Sequence, residues 1–309
     1  MQQFVRRRDL FRLPLALALR PRPWPGGTFL QFWSAHLIWD DARWSRLYQH
    51  LSEIGVTELV VQWSRYDDIG YVPLVLRAAD ECDARDWTLH AGLAHHSQWW
   101  TALEQGPAAR AQALARAFAA HLECARELAP LARRRCFRGW YLPEEIDDVH
   151  WQAAAGVDAL CGHLSRLHHS LHPLSAGGFT SGRAAPSTLA RFWAHLRRES
   201  KLDTVLFQDG IGAGNLSLPQ WETLLPVLSR SVGPRRLRVV VEAFEQISAS
   251  GPFQARPAPV ERIEAQTTLA RRWTRRPPIA FSFPEYFTPE GGAEARARFE
   301  LLRGPHGRQ

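Results

Sequence analysis

The feature that most constrains the fold is an alternation of eight β-prone runs with eight helical stretches, which begins at Gly26. The predicted strands are Thr28–Trp33, Glu58–Trp63, Thr88–Leu93, Gly139–Leu142, Leu174–Phe179, Thr204–Gln208, Arg238–Glu242 and Ile279–Phe283. The predicted helices are Asp40–Ile54, Val72–Arg85, Pro107–Leu131, Trp151–Leu171, Pro186–Arg198, Pro219–Arg230, Pro257–Trp273 and Gly292–Leu302. This order is typical of an α/β protein with a single (β/α)8 TIM-barrel domain. Asp40, Ser187 and Ser217 are predicted helix caps.

A doubly wound open sheet is the alternative fold. That fold usually has a glycine-rich phosphate turn after its first strand, whereas here the first strand ends in Gln31-Phe32-Trp33. The glycines from Gly210 to Gly214 follow the sixth strand, but their spacing is not GxGxxG. They predict a tight loop that allows close backbone approach, and they do not predict a nucleotide site.

The barrel is predicted to span residues 26–304, with a basic tail at 1–25 and a disordered tail at 305–309. The segment from Arg7 to Arg12 resembles a twin-arginine export motif, and a short apolar run from Leu13 to Leu19 follows it. Arg20 interrupts that run, and no A-x-A cleavage site follows. We therefore expect either export to the periplasm or, if the segment is only a basic tail, a cytoplasmic protein.

Charge and composition exclude several classes of protein. The formal net charge is +7, but six arginines and one acid lie within residues 1–22, so the rest of the chain is close to neutral. No basic face therefore indicates a nucleic-acid partner. No run of 18 apolar residues exists, so no integral membrane segment is expected. The four cysteines form no CxxC pair and are expected to be buried, although one disulfide stays open for an exported protein.

Carboxylates stand at the ends of three predicted strands. Glu144 and Glu145 follow strand 4, Asp209 follows strand 6, and strand 7 ends in Glu242. The carboxyl ends of barrel strands build the active site of TIM-barrel enzymes, and glycoside hydrolysis uses two carboxyl groups. A helix cap or a salt bridge at the rim is the other interpretation, and it applies most strongly to Glu144 and Asp148.

Amides and aromatic rings occur at the same strand ends. Glutamines could hydrogen-bond sugar hydroxyls, and some of the thirteen tryptophans could stack on sugar faces. The predicted substrate-binding residues are Gln31, Trp33, Gln62, Trp63, His95, Trp99, Tyr141, Glu144, Gln208, Glu285 and Tyr286.

Histidines offer metal ligands only weakly. The adjacent His95 and His96 have diverging side chains. His168 and His172 are spaced i, i+4 and could bind zinc, but no HExxH motif accompanies them. We therefore expect these histidines to be structural or at the surface, and we predict no metal site and no cofactor. There is also no GxSxG motif for serine chemistry.

Several segments together resemble one known family. They are Gly27–Gln31, Val60–Trp63, Gly139–Asp148, Phe207–Gly212, Val241–Glu245, and Arg262-Ile263 followed by Gln266. They resemble the bacterial DUF4434 family, which is described as TIM-barrel glycoside hydrolases, over about Gly26 to Pro289. The resemblance implies that the family's acids fall on Glu145, Asp209 and Glu242.

The leading hypothesis is therefore a glycoside hydrolase that cleaves an oligo- or polysaccharide. Glu145 would be the general acid/base and Glu242 the nucleophile or second carboxylate. Asp209 would be a neighbour that tunes a pKa, or the true partner. One alternative is a carbohydrate-binding protein without turnover. Another is a metal-dependent hydrolase or lyase that uses Asp209, Glu242 and a histidine.

Overall fold

The computed structural model describes residues 23–151, 153–248 and 253–303. The arginine-rich segment at 1–22 and the tail at 305–309 lie outside the described residues, so the export motif stays a prediction. Trp24 belongs to the predicted N-terminal tail, two residues before the predicted start of the barrel. Its indole is buried, and its Nε1 donates to the carbonyl of Ile54 at 2.8 Å. The packed domain therefore includes residue 24.

Eight parallel strands close into a barrel in the order of the sequence. They are β1 (Gly27–Leu30), β2 (Glu58–Val61), β3 (Thr88–Gly92), β4 (Phe137–Ile146), β5 (Leu174–Gly178), β6 (Thr204–Gln208), β7 (Leu237–Glu242) and β8 (Ile279–Phe281). Gly27 of β1 pairs with Ile279 of β8 and with Glu58 of β2, and this pairing closes the sheet. The predicted single-domain (β/α)8 TIM barrel is confirmed.

In the described residues, eight helices of eleven or more residues surround the barrel. They are α1 (Asp41–Glu53), α2 (Val72–Ala84), α3 (Pro107–Glu127), α4 (Ala154–Ser170), α5 (Pro186–Ser200), α6 (Leu218–Val232), α7 (Val260–Trp273) and α8 (Ala293–Arg303). Asp40 caps α1 by accepting from the amide of Arg43, and Ser217 forms a capping box with Gln220. The prediction for Ser187 is wrong, because Pro186 takes the first helical position and Ala185 is the cap.

Side chains on the two faces of the strands form two separate cores. Inside the barrel, residues from six strands pack together: Phe29, Val60, Tyr141, Leu206, Val240, Ile279 and Phe281. A much larger core lies between the strands and the helices and includes Val61, Leu142, Phe207 and Val241. Because neighbouring residues of a strand point to opposite faces, these two sets identify the inward face of each strand.

Glu58, Arg238 and His90 pack together at the amino-terminal end of the barrel. Arg238 donates to both carboxylate oxygens of Glu58, at 2.5 and 2.6 Å. His90 Nε2 lies 3.1 Å from the same carboxylate. Burial opposes ionisation of Glu58, but the charge of Arg238 and the hydrogen bonds from His90 and Arg238 outweigh it and hold the pKa of Glu58 well below the usual range.

All four cysteines are buried and none forms a disulfide. Burial raises the pKa of the Cys161 thiol to about 11. In the described part of the chain, no helix is both long and apolar enough to cross a bilayer.

Candidate active site

Four polar residues face the barrel axis at its carboxyl end. Each lies two positions beyond a member of the inner core, so each shares its inward face. They are Gln31 after Phe29, Gln62 after Val60, Gln208 after Leu206 and Glu242 after Val240. This set forms the centre of the mouth. All four are among the residues predicted at the strand ends, and their catalytic and binding roles stay predictions.

Glu145 joins the mouth through Gln208. The register of β4 shifts between Leu142 and Ile146, so alternation alone does not orient Glu145. Its position follows from a contact, because Gln208 Nε2 donates to Glu145 Oε1 at 2.5 Å. Burial raises the pKa of the Glu145 carboxyl group, and the Gln208 hydrogen bond opposes that rise only in part.

Glu242 is held by the loop that follows β6. Its Oε2 accepts from the amide of Ala213 at 2.7 Å. Gly212 makes this approach possible, because a Cβ there would lie 2.4 Å from the carbonyl oxygen of Phe244 and 2.7 Å from Glu242 Cβ. Glu242 is only 1% exposed, and burial followed by repulsion from Asp209 raises its pKa. The predicted close backbone approach at this loop is confirmed.

Asp209 follows Gln208 and therefore faces the helices rather than the axis. Its Oδ2 accepts from Gln266 Nε2 of α7 at 2.6 Å, and its Oδ1 accepts from the amide of Glu242 at 3.4 Å. Burial raises its pKa despite these bonds. Arg262 lies near both acids but donates to the backbone carbonyls of Glu242 and Phe244. Of the two predicted roles for Asp209, this position favours the neighbour that tunes a pKa.

Glu144 lies on the helix side of β4, opposite Glu145. Its Oε2 is 3.0 Å from Nε2 of the fully buried His121 on α3. Burial opposes ionisation of Glu144, but His121 outweighs it and lowers the pKa of Glu144. This position favours a structural contact between Glu144 and His121 over contact with a sugar. His121 carries no motif that would have revealed it in the sequence.

One aromatic cluster, made of Trp33, Trp63, Tyr66 and His95, lines the mouth beside β1 to β3. Trp33 and Trp63 have ring centroids 5.0 Å apart, and Trp63 stacks on His95 at 5.6 Å with 19° between the planes. Tyr66 contacts the other three rings and was not predicted. Trp33 is 41% exposed, which leaves part of its ring available to a flat apolar ligand face.

Polar atoms without hydrogen-bond partners in the described part of the chain occur beside this cluster. They include Gln62 Oε1 and His95 Nδ1. Gln62 also bonds the hydroxyl of Tyr141, and burial raises the pKa of that hydroxyl well above its usual value. Gly177 leaves room for it, because a Cβ there would lie 2.5 Å from the hydroxyl oxygen. Buried polar atoms without partners suit a ligand that brings hydroxyl groups.

A second aromatic cluster lies beside β7 and β8. Phe244 contacts Tyr286 at 5.5 Å and the exposed Phe253 at 5.4 Å between ring centroids. Glu285 follows β8 in the short helix Phe283–Tyr286 and accepts from the hydroxyl of Ser282. Burial raises the pKa of Glu285 to about 7. The predicted residues Glu285 and Tyr286 therefore lie after β8, beside this second aromatic cluster.

Trp99 differs from the other predicted tryptophans. It is 4% exposed and its ring stacks on Trp151 with centroids 6.2 Å apart. This burial favours a role in the core over one in stacking on a sugar.

The acids beyond Glu145 also make structural hydrogen bonds. Asp147 accepts from the amides of Val149 and His150, and Asp148 accepts from Thr180.

The metal-dependent alternative lacks a ligand set at the mouth. In the described residues, the cluster of three convergent ligand atoms contains neither Asp209 nor Glu242. That cluster is made of His168, His172 and Asp203, and it lies at the amino-terminal end of the barrel.

The sequence profile of the domain of unknown function DUF4434 matches residues 26–292. The chain belongs to the DUF4434 family. A similar curated protein is "Uncharacterized protein YbcH" from Escherichia coli (strain K12), which is 28% identical over 241 residues, 75% of this chain and 80% of that protein.

Solved structures that share the fold of this DUF4434 protein include the following two. One, described as "a putative alpha-L-fucosidase", is from Bacteroides thetaiotaomicron VPI-5482. It has a TM-score of 0.65 at 16% identity and covers 91% of this chain and 95% of its own. The other is a thermostable mutant of a xylanase from Cellvibrio japonicus. It has a TM-score of 0.50 at 12% identity and covers 91% and 98%. At such identities the similarity establishes the fold and not the reaction.

Proposed function

We propose that this DUF4434 protein is a glycoside hydrolase that cleaves an oligo- or polysaccharide in the mouth of the barrel. The observation that carries the proposal is the pair Glu145 and Glu242. Both carboxyl groups lie at the mouth, both have raised pKa values, and the charge of Glu145 contributes to the rise at Glu242. Neighbouring carboxyl groups with perturbed pKa values in a cleft are typical of catalytic acid–base pairs.

Glu145 is assigned as the proton donor. A donor must regain its proton from solvent after each turnover, and Glu145 is only partly buried whereas Glu242 is 1% exposed. Its raised pKa keeps a proton available for the leaving oxygen.

Glu242 is assigned as the second carboxylate. The amide of Ala213 stabilises its charged form and fixes its orientation. Burial and repulsion from Asp209 oppose that charged form and raise the pKa of Glu242.

The substrate class follows from the walls of the mouth. The exposed face of Trp33 and the aromatic cluster around Phe244 flank a centre made of glutamine amides and carboxyl groups. Aromatic faces beside hydrogen-bonding groups suit sugars, which have apolar ring faces and polar edges.

A carbohydrate-binding protein without turnover is the second candidate. The burial of Glu242 and its bond to Ala213 favour it, since a carboxylate fixed in this way makes little contact with a ligand unless the loop moves.

The deciding experiment compares wild type, Glu145→Gln and Glu242→Gln on a glycan panel that includes α-L-fucosides and xylans. The release of new reducing ends is measured. We expect each variant to lose about 10²- to 10⁴-fold in turnover while remaining folded. Glu245→Gln is the matched control, because Glu245 lies three residues beyond Glu242 and forms an ion pair with Arg256.

An aryl glycoside with a good leaving group separates the two roles. Glu145→Gln should recover part of its activity on such a substrate, because protonation of the leaving oxygen is no longer needed. Glu242→Gln should not recover. Unchanged rates in both variants would refute the assignment, and tight glycan binding without product would favour the binding protein.

A further inference from the structure

We propose that His168, His172 and Asp203 form a zinc-binding site at the amino-terminal end of the barrel. His168 lies in the last turn of α4 and His172 just beyond that helix. Asp203 precedes β6. His168 and His172 are spaced i, i+4, whereas Asp203 comes from the next unit of the barrel, and the fold brings the three ligand atoms together.

The distances between these atoms match those around a tetrahedral ion. Asp203 Oδ2 lies 3.1 Å from His172 Nδ1 and 3.4 Å from His168 Nε2, and the two ring nitrogens are 3.1 Å apart. Zinc bonds to nitrogen and oxygen of about 2.0–2.1 Å place neighbouring tetrahedral ligands about 3.3 Å apart. The three atoms therefore form one face of a tetrahedron whose centre an ion could occupy.

The chemistry of the three atoms also favours a metal ion. Two imidazole nitrogens and a carboxylate oxygen are acceptors when the histidines are neutral. A single proton can bridge two of these atoms at a time, whereas one cation binds all three. Imidazole with a carboxylate is a typical zinc ligand set.

Surrounding groups hold Asp203 in place. The amide of Leu174 donates to Asp203 Oδ2 at 2.9 Å, and Arg236 donates to the carbonyl of Asp203 at 3.3 Å. Such outer contacts orient metal ligands in known sites. The His172 side chain is 58% exposed, so the fourth coordination position is open to water.

The site would stabilise the fold and take no part in catalysis. It connects the end of α4 to the chain before β5 and β6, at the opposite end of the barrel from Glu145 and Glu242. An ion that binds only the folded protein raises its stability by mass action.

The test titrates zinc ions into untagged, chelator-treated protein and follows binding by calorimetry. We expect one equivalent for wild type and a rise in Tm of about 5 °C at zinc concentrations near 100-fold above Kd. His172→Ala and His168→Ala should raise Kd at least tenfold, which at the same zinc concentration would remove about half of the Tm shift or more. His169→Ala is the matched control, because it removes the exposed neighbouring imidazole and should bind zinc like wild type.

A cobalt(II) titration gives a second readout. Tetrahedral coordination by this site should produce visible absorption in wild type and in His169→Ala but not in His172→Ala. His172→Ala decides the matter, because its exposed side chain is the ligand whose loss least endangers folding. Absence of zinc uptake by wild type, or equal uptake by His172→Ala, would overturn the proposal.

Discussion

Buried carboxyl groups have pKa shifts of opposite sign at the two ends of the barrel interior. On β2, Glu58 lies at the amino-terminal end and Gln62 just beyond the carboxyl end. On β7, Arg238 lies near the amino-terminal end and Glu242 at the carboxyl end. At the amino-terminal end, Arg238 neutralises Glu58 with two hydrogen bonds and lowers its pKa. At the carboxyl end, Glu242 lies beside Asp209, and its pKa is raised.

Arginines are present at both ends, so their number does not explain the difference. Arg238 directs its guanidinium nitrogens at carboxylate oxygens, whereas Arg262 donates to backbone carbonyls beside Glu242. The amino-terminal end therefore stabilises the fold. The carboxyl end keeps acids that can hold or release a proton near neutral pH, which is the property that acid–base chemistry needs.

The largest expected effect is at the amino-terminal end. Glu58→Leu should lower the free energy of unfolding by about 3–5 kcal/mol, because it leaves the buried Arg238 guanidinium without its partner. Urea denaturation measures this loss. The double variant Glu58→Leu with Arg238→Met should recover most of it, and a double variant as unstable as the single one would contradict the contrast drawn between the two ends.

The next effect is a pH dependence at the carboxyl end. The pKa of Glu285 is raised from 4.5 to about 7, so the folded state favours its protonated form. The stabilisation it contributes is complete below pH 4.5 and is lost as the pH rises to about 7. Glu285→Gln should therefore remove up to about 3 kcal/mol of the decline in unfolding free energy over that range.

Denaturation midpoints measured at several pH values test this effect. Glu245→Gln is the control for loss of a partly exposed carboxylate near the same rim. A Glu285→Gln curve parallel to that of wild type would show that Glu285 ionises normally in the folded protein.

The smallest expected effect is on affinity. Trp33→Ala should weaken glycan binding about tenfold, or about 1.4 kcal/mol, through loss of ring contact. It should change folding stability by less than about 0.5 kcal/mol, since the ring is 41% exposed. Leu37→Ala, which removes a 48% exposed side chain nearby, is the control and should leave affinity unchanged. Equal losses in both variants would assign the effect to general disruption of the rim.

The barrel could be predicted from the sequence because its period of alternation is repeated eight times, so errors at single boundaries did not matter. The sequence could not predict which individual acids point to the barrel axis and which point to the helices. Strands buried on both faces are apolar throughout, and adjacent residues such as Gln208 and Asp209 give no sign of which one faces the axis. Only the inner core, through Leu206 and Val240, resolves it.

Contacts between distant segments were also beyond prediction. Gln266 was noted only as part of a family motif, and its bond to Asp209 depends on how α7 packs against β6. His168 and His172 were visible as an i, i+4 pair, but the third atom comes from Asp203, which only the closed barrel brings beside them. Tertiary contacts of this kind leave no local pattern in one sequence.

The two-residue step from the inner core to the mouth limits how this lineage can change over evolutionary time. One inserted or deleted residue within β7, between Val240 and Glu242, would bring an apolar neighbour to the axis and turn the acid toward the helices. Length changes among descendants should therefore be confined to loops, which can be remodelled for new glycans. The number of residues in each strand must therefore stay the same in related sequences.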